Sequence, residues 1–117
     1  MLPTLHRQRY QEFKQALEHL QQTASATGLD APKLRQSFLE AQQFFVQQIV
    51  NLDGDLEPDD EPRVRSYQTE MSKQLRLLGI DVMFLQAARQ PETAASRQEQ
   101  LSHRIQSLIS YCDALLQ

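Results

Sequence analysis

The 117-residue chain has one cysteine, three glycines and no tryptophan. Because Cys112 is the sole cysteine, an internal disulfide is excluded and a reducing compartment is the simplest expectation. The β-branched and aromatic residues that strands favour are sparse, whereas the good helix formers Gln, Leu, Ala and Glu are abundant. A chain of this length usually builds one hydrophobic core. The composition therefore predicts an all-α fold in a single helical domain, residues 1–117.

The chain also has no long hydrophobic run. Its longest nearly uncharged stretch, residues 77–88, has about twelve residues and includes Asp81, whereas a membrane span takes about twenty. The opening residues contain no apolar run of the kind that a signal peptide needs. We therefore expect a cytoplasmic protein that does not insert into a membrane.

Charge is unevenly distributed along the sequence. The net charge is −3, yet six of the fifteen acidic residues lie in residues 53–61. Nine acidic residues against twelve basic residues remain elsewhere, so the rest of the chain is mildly basic. Nucleic-acid binding usually needs a dense basic face, and we expect none here. Patches of both signs suit a protein partner better.

Apolar residues recur at steps of three and four along four segments. This period predicts four helices, at about residues 4–27, 31–52, 62–89 and 91–116, each with one buried stripe. The predicted stripes are Tyr10, Phe13, Leu17, Leu20, Ala24 and Thr27; Leu34, Phe38, Ala41, Phe45, Ile49 and Leu52; Val64, Tyr67, Met71, Leu75, Leu78, Val82 and Leu85; and Ala94, Gln98, Leu101, Ile105, Leu108, Cys112 and Leu115.

The acidic stretch 53–61 lacks any hydrophobic period and contains the helix breakers Gly54 and Pro58. Its like charges repel one another, which predicts a flexible, solvated loop. The alternating acidic residues resemble the start of a calcium-binding loop. However, the sixth and twelfth positions, where an EF-hand needs Gly and Glu, hold Pro58 and Val64. We therefore predict no calcium site in this loop.

Helices of similar length joined by short links favour antiparallel neighbours. The predicted architecture is an antiparallel up-down four-helix bundle with long helices. Stripes that average 3.5 residues per turn suit helices crossing at about 20°. The alternative is a pair of long helical hairpins that completes its core only by forming a homodimer.

Candidate catalytic and metal-binding groups are scattered rather than clustered. His6, His19 and His103 lack the spacing of metal ligands, so we predict that all three lie on the surface. Cys112 occupies a core position of the last helix, which indicates a structural thiol. The three glycines are isolated, so there is no Gly-rich phosphate loop. We therefore predict a non-enzymatic protein with no cofactor and no metal site.

The third predicted helix is apolar on more than one face. One interpretation is that it contacts two neighbouring helices within the bundle. The other is that Leu77, Ile80 and Phe84 stay exposed and form a docking strip for a partner or a second copy of the chain. Arg76 and Arg89 bracket this strip. These five residues are the candidate protein-binding site.

Residues 77–91 are unusual because Gly-Ile-Asp-Val lies inside an apolar helix. Together with Arg97, the ending 109–116 and the opening 5–13, this stretch resembles the PatD family of small cyanobacterial proteins, and the similarity spans most of the chain. The resemblance implies a cytosolic cell-division regulator that binds the tubulin-like protein FtsZ, promotes its assembly and influences heterocyst frequency. The resemblance does not indicate which residues of this chain would contact FtsZ. The alternative is a generic helical adaptor or dimerisation module with another protein partner.

Overall fold

The structure, a computed structural model, describes residues 2–26, 28–52, 54 and 56–117. These residues form four α-helices and one π-helical turn, with no strand among them. The helices are α1 (Thr4–Ser25), α2 (Ala31–Phe44), α3 (Glu61–Ala87) and α4 (Pro91–Leu116), and the π turn (Phe45–Ile49) continues α2. Together they form a compact helical bundle of 50 × 21 × 19 Å. The all-α prediction is confirmed.

The helix starts follow from local chemistry. The Asp30 side chain accepts a hydrogen bond from the backbone N–H of Lys33 at 3.1 Å and so caps the start of α2. Helices α2, α3 and α4 each carry a proline in the first turn, where its missing N–H is not needed. Helix α1 ends at Ser25, and Thr27, the predicted last member of its stripe, lies outside the described residues. Gly28 follows with φ of +69°, a conformation that suits glycine.

The second helix differs from its prediction after Phe44. We predicted one α-helix over residues 31–52, but its last turn, Phe45–Ile49, is π-helical. A π turn holds more residues than an α turn, and Phe45 and Ile49, at its two ends, are both buried in the core. Val46 and Val50 then face outward and are exposed. These two valines therefore lie outside the buried face of the helix.

The acidic segment forms a hydrogen-bonded turn next to α3, a feature that the sequence did not predict. The Glu57 carbonyl accepts hydrogen bonds from the backbone N–H groups of Asp60 and Glu61. These hydrogen bonds close a turn that leads into α3. Leu56 is partly buried against the core. Asp53 and Asp55, two of the predicted loop residues, lie outside the described residues.

The core is formed by the predicted stripes, and each large side chain that is fully buried contributes about 1.5–3 kcal/mol to stability. Its fully buried large side chains are Tyr10, Phe13, Leu17, Leu20, Leu34, Ile49, Met71, Leu78, Leu101, Ile105, Leu108 and Leu115. Among the outer members of the stripes, Leu52, Tyr67, Ala94 and Gln98 are only half-buried.

Polar and aromatic side-chain contacts join α1 and α3 to α4. Lys14 pairs with Asp113 at 2.6 Å, and the Gln21 side chain donates to the Ser102 hydroxyl at 3.0 Å. On α3, the Tyr67 ring lies against the Tyr111 ring of α4 with 5.8 Å between centroids.

None of the described helices combines the length and apolar character that a membrane crossing requires.

Candidate protein-binding surface

The bundle has an open seam between α2 and α3. Of the neighbouring α-helix pairs, these two make the least contact. They approach closely where the Phe38 ring packs on Gly79, whose lack of a side chain makes room for the ring. We call the remaining space the α2–α3 groove; it has a volume of about 770 Å³.

The α2–α3 groove has an apolar floor and apolar walls. Phe38, Phe45 and Leu75 are buried residues that form its floor. Four large apolar side chains on its walls are between 42% and 70% exposed: Val46, Val50, Ile80 and Met83. Most of the other large apolar residues of the chain are buried, so this concentration at one seam is unusual for the molecule.

The charged side chains that line the α2–α3 groove are basic. Arg35 and Arg76 are both exposed and line it, and no acidic residue lies among its described lining residues. A second cavity of about 1020 Å³ adjoins the groove and shares Arg76 with it. It adds Lys73 together with Glu61 and Arg65, which pair with each other at 2.7 Å. The seam therefore combines an apolar centre with a basic rim.

The five residues predicted as a docking strip lie in different surroundings. Arg76 and Ile80 line the α2–α3 groove. Phe84 is exposed, and the guanidinium of Arg97 on α4 lies 4.4 Å from its ring centroid. Leu77 is half-buried, and Arg89 is exposed just beyond the end of α3. The structure thus places two of the five residues in one groove and directs Phe84 toward α4.

Sequence reasoning missed the α2 side of this surface. Arg35 comes from α2, Val46 comes from its π turn and Val50 directly follows that turn, whereas Met83 comes from α3. The available signal was that Val46 and Val50 are apolar but do not belong to the regular stripe. The pattern alone does not tell whether such residues meet a neighbouring helix or solvent.

A buried ionic cluster next to the surface was also missed. Asp81 of α3 is buried and accepts a hydrogen bond from the Arg104 guanidinium of α4. Arg97 lies 3.7 Å from its other carboxylate oxygen and also contacts the Phe84 ring. The cluster joins α3 to α4 and holds Arg97 over Phe84. An acidic residue inside the apolar stretch 77–88 was the signal for it.

The histidines do not form a site. His19 and His103 are exposed, as predicted. The prediction for His6 was wrong, because it is buried and its Nε2 lies 3.2 Å from the Gly54 carbonyl oxygen. This contact joins the start of α1 to the acidic segment, a pairing between distant parts of the chain that local sequence does not reveal. No three His, Cys, Asp or Glu side chains of the described residues are grouped closely enough to hold a metal ion.

The thiol of Cys112 is buried in the core, as predicted. Burial raises the pKa of the thiol to about 12; the nearby Asp113 adds to the rise and Lys14 opposes it. A thiol with this pKa stays protonated at neutral pH, and thiolate is the nucleophilic form. Cys112 therefore acts as a small core residue.

The chain matches no family model, no curated protein and no solved structure in comparisons with known proteins. Its resemblance to the PatD family stays a prediction that rests on the residues quoted above.

Proposed function

We propose that this chain is a non-enzymatic, cytoplasmic protein-interaction module that binds FtsZ and promotes its assembly, with influence on heterocyst frequency. The observation that supports an interaction role is the α2–α3 groove, where apolar side chains are exposed between basic ones. The identity of the partner comes from the resemblance to the PatD family.

The groove has the properties of a binding surface. Exposed apolar side chains gain free energy when a partner removes them from water, at about 25 cal/mol per Å². A groove that packed helices have already formed needs little reorganisation before a partner binds, which favours affinity. Basic residues around the rim add partner selection and faster association.

We further infer that the four helices alternate in direction, as in an up-down antiparallel bundle. The contacts between α1 and α4 support this arrangement: Lys14 meets Asp113, whereas Ala24, ten residues later, meets Gln98. Between α2 and α3, Ala31 meets Gln86 and Phe38 meets Gly79. A bundle of this kind is a rigid support for the groove.

Cosedimentation tests the proposed function. FtsZ is polymerised with GTP, alone or with the purified chain, and the pelleted fraction is measured at low and moderate salt. We expect the chain to pellet with the polymers and to increase the pelleted FtsZ. Ile80→Asp should weaken this effect by about tenfold, because it puts a charge among the apolar side chains of the groove.

Leu5→Asp is the matched control. Leu5 is 50% exposed on α1, outside the groove, so this variant makes the same change in charge and should act like the native chain. If the native chain leaves FtsZ pelleting unchanged at every salt concentration, FtsZ is not its partner. Equal losses from Ile80→Asp and Leu5→Asp would show that the groove is not the binding surface.

The alternative function is that of a generic adaptor or dimerisation module, and the apolar walls of the groove favour it as well. Sedimentation equilibrium separates the two roles of such a module. A native dimer that Ile80→Asp converts to a monomer would identify a dimerisation module. A monomeric native chain would leave the adaptor role.

A further inference from the structure

The shape of the α2–α3 groove defines the kind of segment that fits it. Its lining residues on α3 extend from Ser72 to Gln86, which corresponds to about 20 Å of helix at 1.5 Å per residue. Apolar side chains line it from both helices along this length. A partner helix of about four turns would fill the seam and pack against α2 and α3 as a fifth helix, with apolar residues at helical spacing facing the groove.

The charges around the groove indicate which side chains should flank the apolar face of the partner helix. Arg35, Lys73 and Arg76 are exposed, and none of them forms an ion pair within the described part of the chain. Their long aliphatic stems can lie along an apolar ligand while the charged ends reach its polar flanks. Carboxylates on those flanks would complement the basic rim, whereas lysines there would be repelled.

A second copy of the chain complements this surface poorly. A two-fold dimer through the groove sets the same patch against itself, so Arg35 and Arg76 of both copies would approach one another. The like charges oppose this pairing. Nucleic acid would meet the basic rim but would leave the exposed apolar walls in contact with a charged backbone. An acidic partner helix matches both parts of the surface.

We propose that the α2–α3 groove binds an acidic amphipathic helix of a partner protein. The apolar stripe of that helix lies between Val46 and Met83, and its flanking carboxylates pair with Arg35 and Arg76. This inference rests on the proposed function as a protein-interaction module and specifies the segment that the module recognises.

Fluorescence anisotropy with three labelled peptides tests the inference on the full chain. The acidic peptide has about 18 residues, enough for the groove's length, with four leucines at helical spacing and glutamates on both flanks. The basic peptide has lysines in place of the glutamates. The scrambled peptide has the acidic composition without the helical spacing. We expect the acidic peptide to bind at least about tenfold more tightly than either of the others at low salt.

Variants of the chain localise the binding. Met83→Asp should weaken acidic-peptide binding by about tenfold or more, because Met83 is the most exposed apolar residue of the groove, while Leu5→Asp should leave binding unchanged. The double variant Arg35→Glu/Arg76→Glu should reverse the preference, so that the basic peptide binds more tightly than the acidic one. All of these positions are exposed, and circular dichroism confirms that the variants keep the native helix content.

The outcomes separate this inference from the proposed function. Equal binding of acidic and basic peptides, or an unchanged preference after the charge reversal, overturns the inference. A native dimer that Met83→Asp dissociates also overturns it, because the occupant is then a second copy. Increased FtsZ pelleting without acidic-peptide binding leaves the proposed function standing and rejects the groove's ligand. Peptide binding that follows the predicted pattern, without FtsZ pelleting, supports the ligand and rejects FtsZ as the partner.

Discussion

Asp81 is 1% exposed, yet it is a charged residue on a helix with a mainly apolar face. Removing a carboxylate from water is costly, and the cost is offset here by Arg104 and Arg97 of α4. Both arginines are partly exposed, so they keep some contact with solvent. The carboxylate therefore depends on the arginines more than the arginines depend on it.

This asymmetry predicts the effect of two substitutions. Arg104→Met leaves Asp81 buried with only the more distant Arg97, and we expect it to lower the free energy of unfolding by about 2–3 kcal/mol. Adding Asp81→Leu removes the carboxylate that has lost its nearer partner and should recover most of this loss. Urea unfolding of the two single variants, the double variant and the native chain measures the coupling.

Arg9→Met is the control for this experiment. Arg9 pairs with Glu12 at 3.0 Å on the surface of α1, and loss of such an exposed pair costs about 0.5 kcal/mol or less. If Arg104→Met has an equally small effect, the Asp81 cluster contributes nothing to stability beyond an ordinary surface pair.

At the scale of the elements, the approach of α2 to α3 depends on a single small residue. A Cβ added at Gly79 would lie 3.0 Å from Cζ of Phe38 and 3.3 Å from its Cε2. The same ring forms part of the floor of the α2–α3 groove. The glycine thus weakens α3 locally and lets the Phe38 ring seat between the two helices.

The two effects of Gly79 can be separated by a double-mutant cycle. Alanine normally stabilises a mid-helix position by about 1 kcal/mol relative to glycine, but in the native chain the new methyl group crowds Phe38. We expect Gly79→Ala to be about 1 kcal/mol more favourable in a Phe38→Leu background, where the crowding atoms are absent. Thermal or urea unfolding gives the four values. Additive effects would show that Phe38 moves aside without cost.

At the scale of the whole molecule, three titratable groups should lower the free energy of unfolding at alkaline pH. Burial raises the pKa of Tyr10, although its bond to Gln68 opposes the rise, and the bond to Asp113 raises the pKa of Lys14. The pKa of Cys112 rises from 9.0 to about 12. A raised pKa means that the folded state holds its proton more tightly than the unfolded state does. The stability that these protons contribute is present at low pH and lost as the pH rises.

For Cys112 the predicted window is pH 9 to 12. There the unfolded chain has lost the thiol proton and the folded chain retains it, so the free energy of unfolding should fall by about 1.4 kcal/mol per pH unit. Urea unfolding at several pH values from 8 to 11 measures this slope. Cys112→Ala should have a shallower slope by about that amount, even if the smaller side chain lowers its stability at pH 8. Parallel slopes in both proteins would contradict the assignment.

The helical character and the stripes were predictable from the sequence because they are local. The spacing of Phe13, Leu17 and Leu20 identifies the buried face of α1 without any knowledge of its neighbours. The cap at Asp30 and the proline at position 91 likewise act within one turn of a helix start. The predicted start and end of α4 therefore agree with the structure, and α3 differs by only one or two residues.

The candidate surface was predictable only in part. Periodicity showed that Ile80 and Phe84 lie outside the main buried stripe of α3. It did not indicate how far the next helix lies from them. That distance depends on Phe38 packing against Gly79, residues that are far apart in sequence. The burial of His6 and the pairing of Asp81 with Arg104 depend in the same way on distant parts of the chain.

The sequence by itself determined that this chain is helical, where its helices run and which face of each is buried, since side-chain spacing within a few turns specifies these features. The tertiary structure decided that α2 and α3 stay partly open, that Val46 and Val50 face outward, and that basic residues border the opening. These features arise from the separation of helices, which the pattern within any one helix does not contain. The proposed binding surface belongs to this second group.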